Sequence, residues 1–133
     1  MALNDMQEIR AQLIPVVKDF VQKEVIPKAA QHDEDDTYPT ELVDQMAEIG
    51  LFGMVVPEKY GGMGLDVLTF SMVFEELSKG WMSITGPIGT HSMLAFAISK
   101  YGTDKQKQRF RMRQKQINLS KNKGQKYFYQ IEK

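Results

Sequence analysis

The stretch that decides the fold reads VVPEKYGGMGLD and spans residues 55–66. It places one proline and three glycines between two segments whose apolar residues recur every three or four positions, the spacing of one helical face. We interpret it as a tight connection in which the glycines supply positive φ angles and allow close backbone approach between two helices. A phosphate-binding loop is the alternative. It is disfavoured because no strand precedes the stretch and because the carboxylate of Asp66 would repel an anion at the helix N-terminus.

Helical spacing extends along most of the chain on both sides of this connection. Five helices are predicted: from Asn4 or Asp5 to a second bend or last turn at Pro27, from Thr40 to a Gly50 cap, from an Asp66 cap to Gly80, from about Ser83 to Lys100, and from Thr103 onward. Thr103 and Gln106 have the spacing of a capping box, and Pro15 should bend the first helix. Because no alternating run suggests a strand, the predicted fold is an all-α, up-down bundle of about five helices.

Composition excludes several classes of site. The 133 residues include no cysteine, which removes disulfides, thiolate zinc sites and cysteine nucleophiles. An apolar content of 42% is enough for a folded domain. Charged residues in the first turns argue against a secretory signal, and no apolar run reaches the roughly 20 residues that cross a bilayer. We therefore expect a soluble cytoplasmic protein (of the mitochondrial matrix if the source is eukaryotic) with no membrane partner.

Charge is distributed unevenly along the chain. Residues 1–110 carry 10 basic and 16 acidic side chains, a net charge of −6, whereas residues 111–133 carry seven basic and one acidic, a net charge of +6. We expect a helical domain over 1–110 and a basic tail over 111–133 that extends the fifth helix briefly and is then disordered. The tail mixes lysines with the aromatic run 127–129, as single-stranded nucleic-acid binders do, but the acidic domain would repel phosphates.

Four distinctive sequence segments follow one another along the chain. They are GLFGMVVPEKYGGMGLD at 50–66, EEL at 75–77, GTHSML at 89–94 and YGTDKQKQRF at 101–110. Together they resemble the N-terminal α-domain of the FAD-dependent acyl-CoA dehydrogenases. The resemblance covers about residues 3–110. It implies a helical domain that in the family precedes a flavin-binding β-domain and a C-terminal four-helix bundle. It also implies FAD as cofactor, an acyl-CoA substrate oxidised at its Cα–Cβ bond, and an electron-transfer flavoprotein as electron acceptor.

After Phe110 the chain departs from the family pattern. The leucine-proline start and the TEP-type segment that open the β-domain are missing, and the catalytic glutamate of most members, in the C-terminal domain, has no counterpart here. We therefore expect no catalytic residue, no FAD bound by this chain alone, and little or no dehydrogenase activity. A truncation or frameshift near Phe110 would explain the lost motif and the change of charge. The alternative function is a non-enzymatic helical interaction module, with self-association through uncovered apolar surface or a tail that binds protein or nucleic acid.

The fourth predicted helix is where we place the substrate. An interior glycine costs about 1 kcal/mol relative to alanine, so Gly86 and Gly89 in one helix suggest a reason for their presence. Close packing of another helix and room for a ligand are both open explanations. The resemblance implies that this helix, with the third, forms a wall of the acyl-chain pocket, in which Thr85, Ile88, Gly89 and Ser92 face the acyl chain.

Other ionisable residues have structural interpretations. His91 has no acidic partner placed by the sequence, so we interpret it as a packed or capped histidine and not as part of a hydrolase triad. His32 could join the adjacent aspartates at a metal, but the spacing matches no calcium loop, which favours a solvated charge run. Glu75 and Glu76 point about 100° apart on a helix, so one should lie at the surface while the other accepts hydrogen bonds from a neighbouring segment.

Overall fold

The computed structural model describes residues 3–110. Over this range the chain forms helices and turns without a strand, which confirms the all-α prediction. The α-helices are α1 (Leu3–Phe20), α2 (Ile26–Glu34), α3 (Thr40–Ile49), α4 (Val67–Gly80) and α5 (Thr85–Tyr101), and α6 begins at residue 104. A π-helical turn, Val21–Val25, joins α1 to α2, so these two form the first predicted helix. The predicted basic tail, 111–133, lies outside the described residues.

The first helix changes its hydrogen-bonding pattern just before Pro27. The N–H of Ile26 donates to the carbonyl of Val21, five residues earlier, which defines the π-helical turn. Pro27 follows in the first turn of α2, where a missing N–H costs least. Pro15 lies inside α1 without ending it. Because α2 runs on to Glu34, the helix continues past Pro27, which therefore does not mark its last turn.

The described residues fall into two compact units. The first contains residues up to 44 together with 66–87, and the second contains 45–65 together with residues from 88 onward. The buried apolar side chains of the first unit are Ile14, Val17, Phe20, Val21, Val25, Leu42, Val73, Leu77 and Ile84. Those of the second are Met46, Leu51, Met54, Val56, Leu65, Ile88 and Ala95. No helix within residues 3–110 is long and apolar enough to span a membrane.

Glycines end two of the helices for different reasons. Gly50 follows α3 with φ 89°, the left-handed conformation of a helix cap, as the sequence predicts. Gly80 is the last residue of α4, but the cap position belongs to Trp81, which is extended. A Cβ on Gly80 would lie only 2.5 Å from Cγ1 of Val21. The predicted helix end at Gly80 is confirmed, and the glycine permits a close approach between α4 and the π-helical turn.

Candidate functional site

The glycine-rich connection uses its glycines for conformation and for close contact. Gly61 and Gly64 have φ angles of 87° and 59°, which side-chain-bearing residues rarely adopt. A Cβ on Gly62 would overlap the backbone of Val56, lying 2.6 Å from its carbonyl carbon. The prediction of positive φ angles is therefore confirmed, whereas the close approach at Gly62 is to Val56, within the connection itself, and not between the two helices.

The backbone amides of this connection are already used. The N–H groups of Met63, Gly64 and Leu65 donate to carbonyl oxygens within residues 53–56, at 2.9, 2.9 and 2.7 Å. A phosphate cradle needs such amides to be free and to converge on the anion. In the described loop these amides are therefore not free to bind a phosphate.

The N-terminus of α4 is occupied by Asp66. Its carboxylate accepts hydrogen bonds from the N–H of Thr69 at 2.8 Å, from the Thr69 hydroxyl, and from Nη2 of Arg10 at 2.9 Å. Nε of Arg10 also donates to the Thr69 hydroxyl at 3.0 Å. The hydrogen bonds from the hydroxyl and the N–H of Thr69 lower the pKa of Asp66, and the charge of Arg10 adds a smaller lowering. The role of Asp66 as a helix cap is confirmed. The hydrogen bonds from Arg10 to Asp66 and Thr69 could not be predicted from the local sequence.

The four residues predicted to face an acyl chain share one face of α5. They recur at steps of three and four residues, beginning with Thr85, the first residue of the helix. Ile88 and Ser92 are buried, at 0% and 3% exposure, while Thr85 and Gly89 are half-buried. The Thr85 hydroxyl donates to the carbonyl of Met82 at 2.7 Å. This face therefore combines one large apolar side chain, one glycine and two hydroxyls, of which that of Thr85 is bonded to the backbone.

Two features of α5 have no explanation in packing over the described residues. The hydroxyl oxygen of Ser92 is buried and has no hydrogen-bond partner within residues 3–110. A Cβ on Gly86 would have no heavy atom of the described chain within 4 Å, so close helix packing does not account for that glycine there. Buried polar atoms are nearly always paired in native proteins, by protein, water or ligand. Ser92 therefore marks a position where a further group is expected.

His91 is packed between aromatic rings of the second unit. Its ring meets that of Phe52 edge to face, with centroids 5.2 Å apart, and lies 6.0 Å from the ring of Phe110. Burial lowers the pKa of His91, because the charged imidazolium is poorly solvated there. The interpretation as a packed histidine agrees with this environment.

The adjacent glutamates of α4 differ in exposure, as predicted. The side chain of Glu75 is 65% exposed and that of Glu76 only 14%. Lys79 lies 2.9 Å from the Glu75 carboxylate and 2.8 Å from that of Glu76, and Lys18 of α1 approaches Glu76 at 3.9 Å. The hydrogen bond from Lys79 lowers the pKa of Glu75. Both carboxylates are therefore engaged with cations, which does not suit a general base.

His32 belongs to a small polar cluster of the first unit. Its ring stacks on that of Trp81, with centroids 5.7 Å apart and an interplanar angle of 11°. Its Nδ1 lies 2.8 Å from the hydroxyl of Thr37. Within the described part of the chain, no three histidine, aspartate or glutamate side chains converge closely enough to hold a metal ion.

Comparison with known proteins identifies relatives over the helical domain. Residues 7–113 match the family model described as "Acyl-CoA dehydrogenase, N-terminal domain". The rat mitochondrial short-chain specific acyl-CoA dehydrogenase is 40% identical over 108 residues, which cover 80% of this chain and 26% of the relative. The short-chain specific acyl-CoA dehydrogenase of Clostridium acetobutylicum is 38% identical over 96 residues, which cover 71% and 25%. This chain therefore spans about a quarter of the length of these relatives.

A solved structure shares the fold as well as the sequence pattern. It is described as "Electron transferring flavoprotein of Acidaminococcus fermentans: Towards a mechanism of flavin-based electron bifurcation". Its chain matches with a TM-score of 0.65 and 34% identity, over 77% of this chain and 27% of that one. The chain belongs to the acyl-CoA dehydrogenase family, and the region that carries the match is the family's N-terminal domain.

Proposed function

We propose that the chain contributes one wall of the acyl-chain pocket of a flavin-dependent acyl-CoA dehydrogenase. The wall is the face of α5 formed by Thr85, Ile88, Gly89 and Ser92. The observation that carries the proposal is the buried hydroxyl of Ser92, which has no hydrogen-bond partner within residues 3–110 and shares its helical face with Gly89. A face with one glycine and one large apolar side chain suits a hydrocarbon chain, and the Ser92 hydroxyl would bind a polar group or a water molecule beside it.

In this proposal the pyrophosphate of the flavin is bound outside residues 3–110. FAD carries a pyrophosphate, which proteins bind with free amides at a helix N-terminus. In the described residues, the amides of the glycine-rich connection are bonded internally, and Asp66 fills the N-terminus of α4. We therefore propose that residues 3–110 do not hold the pyrophosphate, and that a flavin domain and a catalytic base act from outside this region.

The oxidation itself is therefore not assigned to these residues. Glu75 and Glu76 are each held by Lys79, and His91 lies among aromatic rings, so none is proposed to take a proton from substrate. By family membership, we propose that the electrons pass to an electron-transfer flavoprotein. The purified chain should show no flavin absorbance and no acyl-CoA-dependent dye reduction, and clear turnover would overturn this part of the proposal.

Acyl-chain binding is tested on the chain itself by nuclear magnetic resonance. Butyryl-CoA and octanoyl-CoA should shift the backbone signals of Ile88, Gly89 and Ser92, whereas free coenzyme A should not. Gly89→Leu fills the proposed space, so it should abolish the octanoyl-dependent shifts first. Gly86→Ala is the matched control, since its Cβ enters open space within the described chain. Equal shifts with free coenzyme A, or unchanged octanoyl binding in Gly89→Leu, would contradict the assignment.

A second candidate function is a helical interaction module that self-associates. The outer face of α5 carries several large apolar side chains at the surface: Met93 at 74%, Leu94 at 54%, Phe96 at 50% and Tyr101 at 75% exposure. Exposed apolar patches favour association. Sedimentation velocity over a range of concentrations discriminates this candidate. A dimer that Leu94→Glu dissociates, in a chain that shows no acyl-dependent shifts, would favour it over the acyl pocket.

A further inference from the structure

A surface cavity of about 380 Å³ lies in the first unit at the C-terminal end of α2. Its walls combine two carboxylates, two large aromatic rings and smaller polar groups, contributed by His32, Asp33, Asp36, Tyr38, Trp81 and Ser83. None of the side chains that line it over the described residues is a lysine or an arginine. The proposed acyl pocket makes no use of these side chains.

Contacts between the lining residues fix the shape of the cavity. Nε1 of Trp81 donates to Oδ1 of Asp33 at 3.0 Å, which joins residues 48 positions apart. The stacked ring of His32 supports Trp81, and the Thr37 hydroxyl at 2.8 Å from Nδ1 fixes the orientation of His32. The bond to Trp81 uses one of the two oxygens of Asp33. The cavity is therefore preformed, which reduces the entropy that a ligand loses on binding.

The chemistry of the cavity favours a planar cation. Asp33 and Asp36 supply negative charge, and α2 ends at Glu34 with its C-terminal carbonyl groups, which carry partial negative charge. Rings such as those of Trp81 and Tyr38 attract cations to their faces. A guanidinium group can stack on a ring and pair with a carboxylate at the same time, and it is less strongly hydrated than an ammonium.

We propose that this cavity binds the guanidinium group of an arginine side chain on a partner protein. Tyr38 is 63% exposed, so its ring is accessible to a side chain arriving from another protein. A free amino acid fits less well, because its α-carboxylate would meet Asp33 and Asp36, and no lysine or arginine among the described lining residues balances it. The proposed ligand is therefore an arginine within a polypeptide, which has no free α-amino or α-carboxylate charge.

The single tryptophan of the chain gives a direct readout. Trp81 is the only tryptophan in the sequence, so the spectrum contains one indole N–H signal, and that signal reports on the cavity wall. The probes are Nα-acetyl-arginine methylamide, its citrulline analogue of the same shape without charge, and free arginine. The blocked arginine should shift the indole signal saturably. The citrulline analogue should bind at least about tenfold more weakly, and free arginine more weakly than the blocked form.

Neighbouring aspartates provide matched variants. Asp36→Asn removes a charge from the lining, and asparagine tolerates the φ of 50° at this position, so the variant should fold. Asp35→Asn removes an equal charge next to the cavity without touching its lining. Asp36→Asn should weaken blocked arginine at least about fivefold, and Asp35→Asn less than about twofold. Equal losses in both variants, equal binding of citrulline, or a shift with free arginine alone would overturn the proposal.

Discussion

Replacing Gly80 with alanine tests a close approach between α4 and the π-helical turn. The new Cβ would lie 2.5 Å from Cγ1 of Val21, whereas contacting carbon atoms are about 3.5–4.0 Å apart. Val21 is only 3% exposed, and a branched side chain in a helix has one strongly preferred rotamer. The clash cannot be relieved by turning Val21 away, so the backbone of α4 or of the turn has to move by about 1 Å.

Two opposing free-energy terms decide the size of the effect. Overpacking of this kind costs about 1–3 kcal/mol. Alanine is more favourable than glycine in a helix by up to about 1 kcal/mol, and the gain is smaller at Gly80 because it is the last residue of α4. The net expectation is a loss of about 1–2 kcal/mol in the free energy of unfolding, measured by urea denaturation with an unchanged m-value.

In a Val21→Ala background, the effect of Gly80→Ala on the free energy of unfolding should change sign. Val21→Ala removes the methyl group in question and costs about 2 kcal/mol by itself. With that methyl absent, the nearest remaining atoms are Cγ1 of Val25 at 3.4 Å and Cγ1 of Ile26 at 3.5 Å, close to ordinary contact, so Gly80→Ala should keep its helix gain and stabilise by up to about 1 kcal/mol. The coupling energy of the cycle should then be about 2 kcal/mol. Gly86→Ala is the control and should be neutral or stabilising in both backgrounds. If Gly80→Ala costs the same in both backgrounds, steric approach is not the reason for glycine here.

Three further predictions concern single side chains. The hydrogen bonds from Thr69 lower the pKa of Asp66 below its ordinary value of 3.8. The carboxylate therefore stabilises the fold above pH 3.8, and this stabilisation is lost as the pH falls through the folded-state pKa. The stability advantage of the wild type over Asp66→Asn in urea titrations should shrink across that window. Burial lowers the pKa of His91 from 6.5, so the unfolded chain binds the proton more readily and stability should fall as the pH drops below 6.5; His91→Gln should reduce this slope. Ser92→Ala should leave the free energy of unfolding unchanged or raise it by up to about 1 kcal/mol, because it removes a buried hydroxyl with no partner in the described chain.

Each of these predictions fails in a different way. A constant stability difference between wild type and Asp66→Asn, from neutral to acid pH, would mean that the Thr69 hydrogen bonds do not favour the ionised carboxylate. An unchanged slope in His91→Gln would place the relevant titration on another group. A loss of more than about 1 kcal/mol in Ser92→Ala would show that the hydroxyl has a partner in the unliganded protein.

Features that depend on near neighbours in sequence were predictable. The Thr103 capping box is present, with the Thr103 N–H donating to Gln106 at 2.8 Å and the return bond at 3.3 Å. The Asp66 cap spans three residues in the same way. Such signals involve one turn of chain, so residue type and spacing are enough to identify them.

Features that depend on distant residues were not predictable from one sequence. Arg10 reaches Asp66 across 56 positions, and nothing around Arg10 distinguishes it from a solvated basic side chain. The same holds for the bond from Trp81 to Asp33 across 48 positions. Gly80 is a further example. Its position at the end of α4 suggests a helix cap, whereas the steric constraint on it comes from Val21, which is far away in the chain. Only the folded arrangement supplies these partners.

The strongest reason to place a ligand on α5 is the buried hydroxyl of Ser92. A buried unpaired hydroxyl costs about 1–3 kcal/mol in a domain whose total stability is typically about 5–15 kcal/mol, and Ser92 has no partner within residues 3–110. Gly86 adds little to this argument, because it is the second residue of α5 and is exposed. If Ser92→Ala stabilises the chain, stability does not explain this serine, and ligand binding by α5 becomes the better explanation. If it does not, the proposed acyl wall loses its main support from the structure.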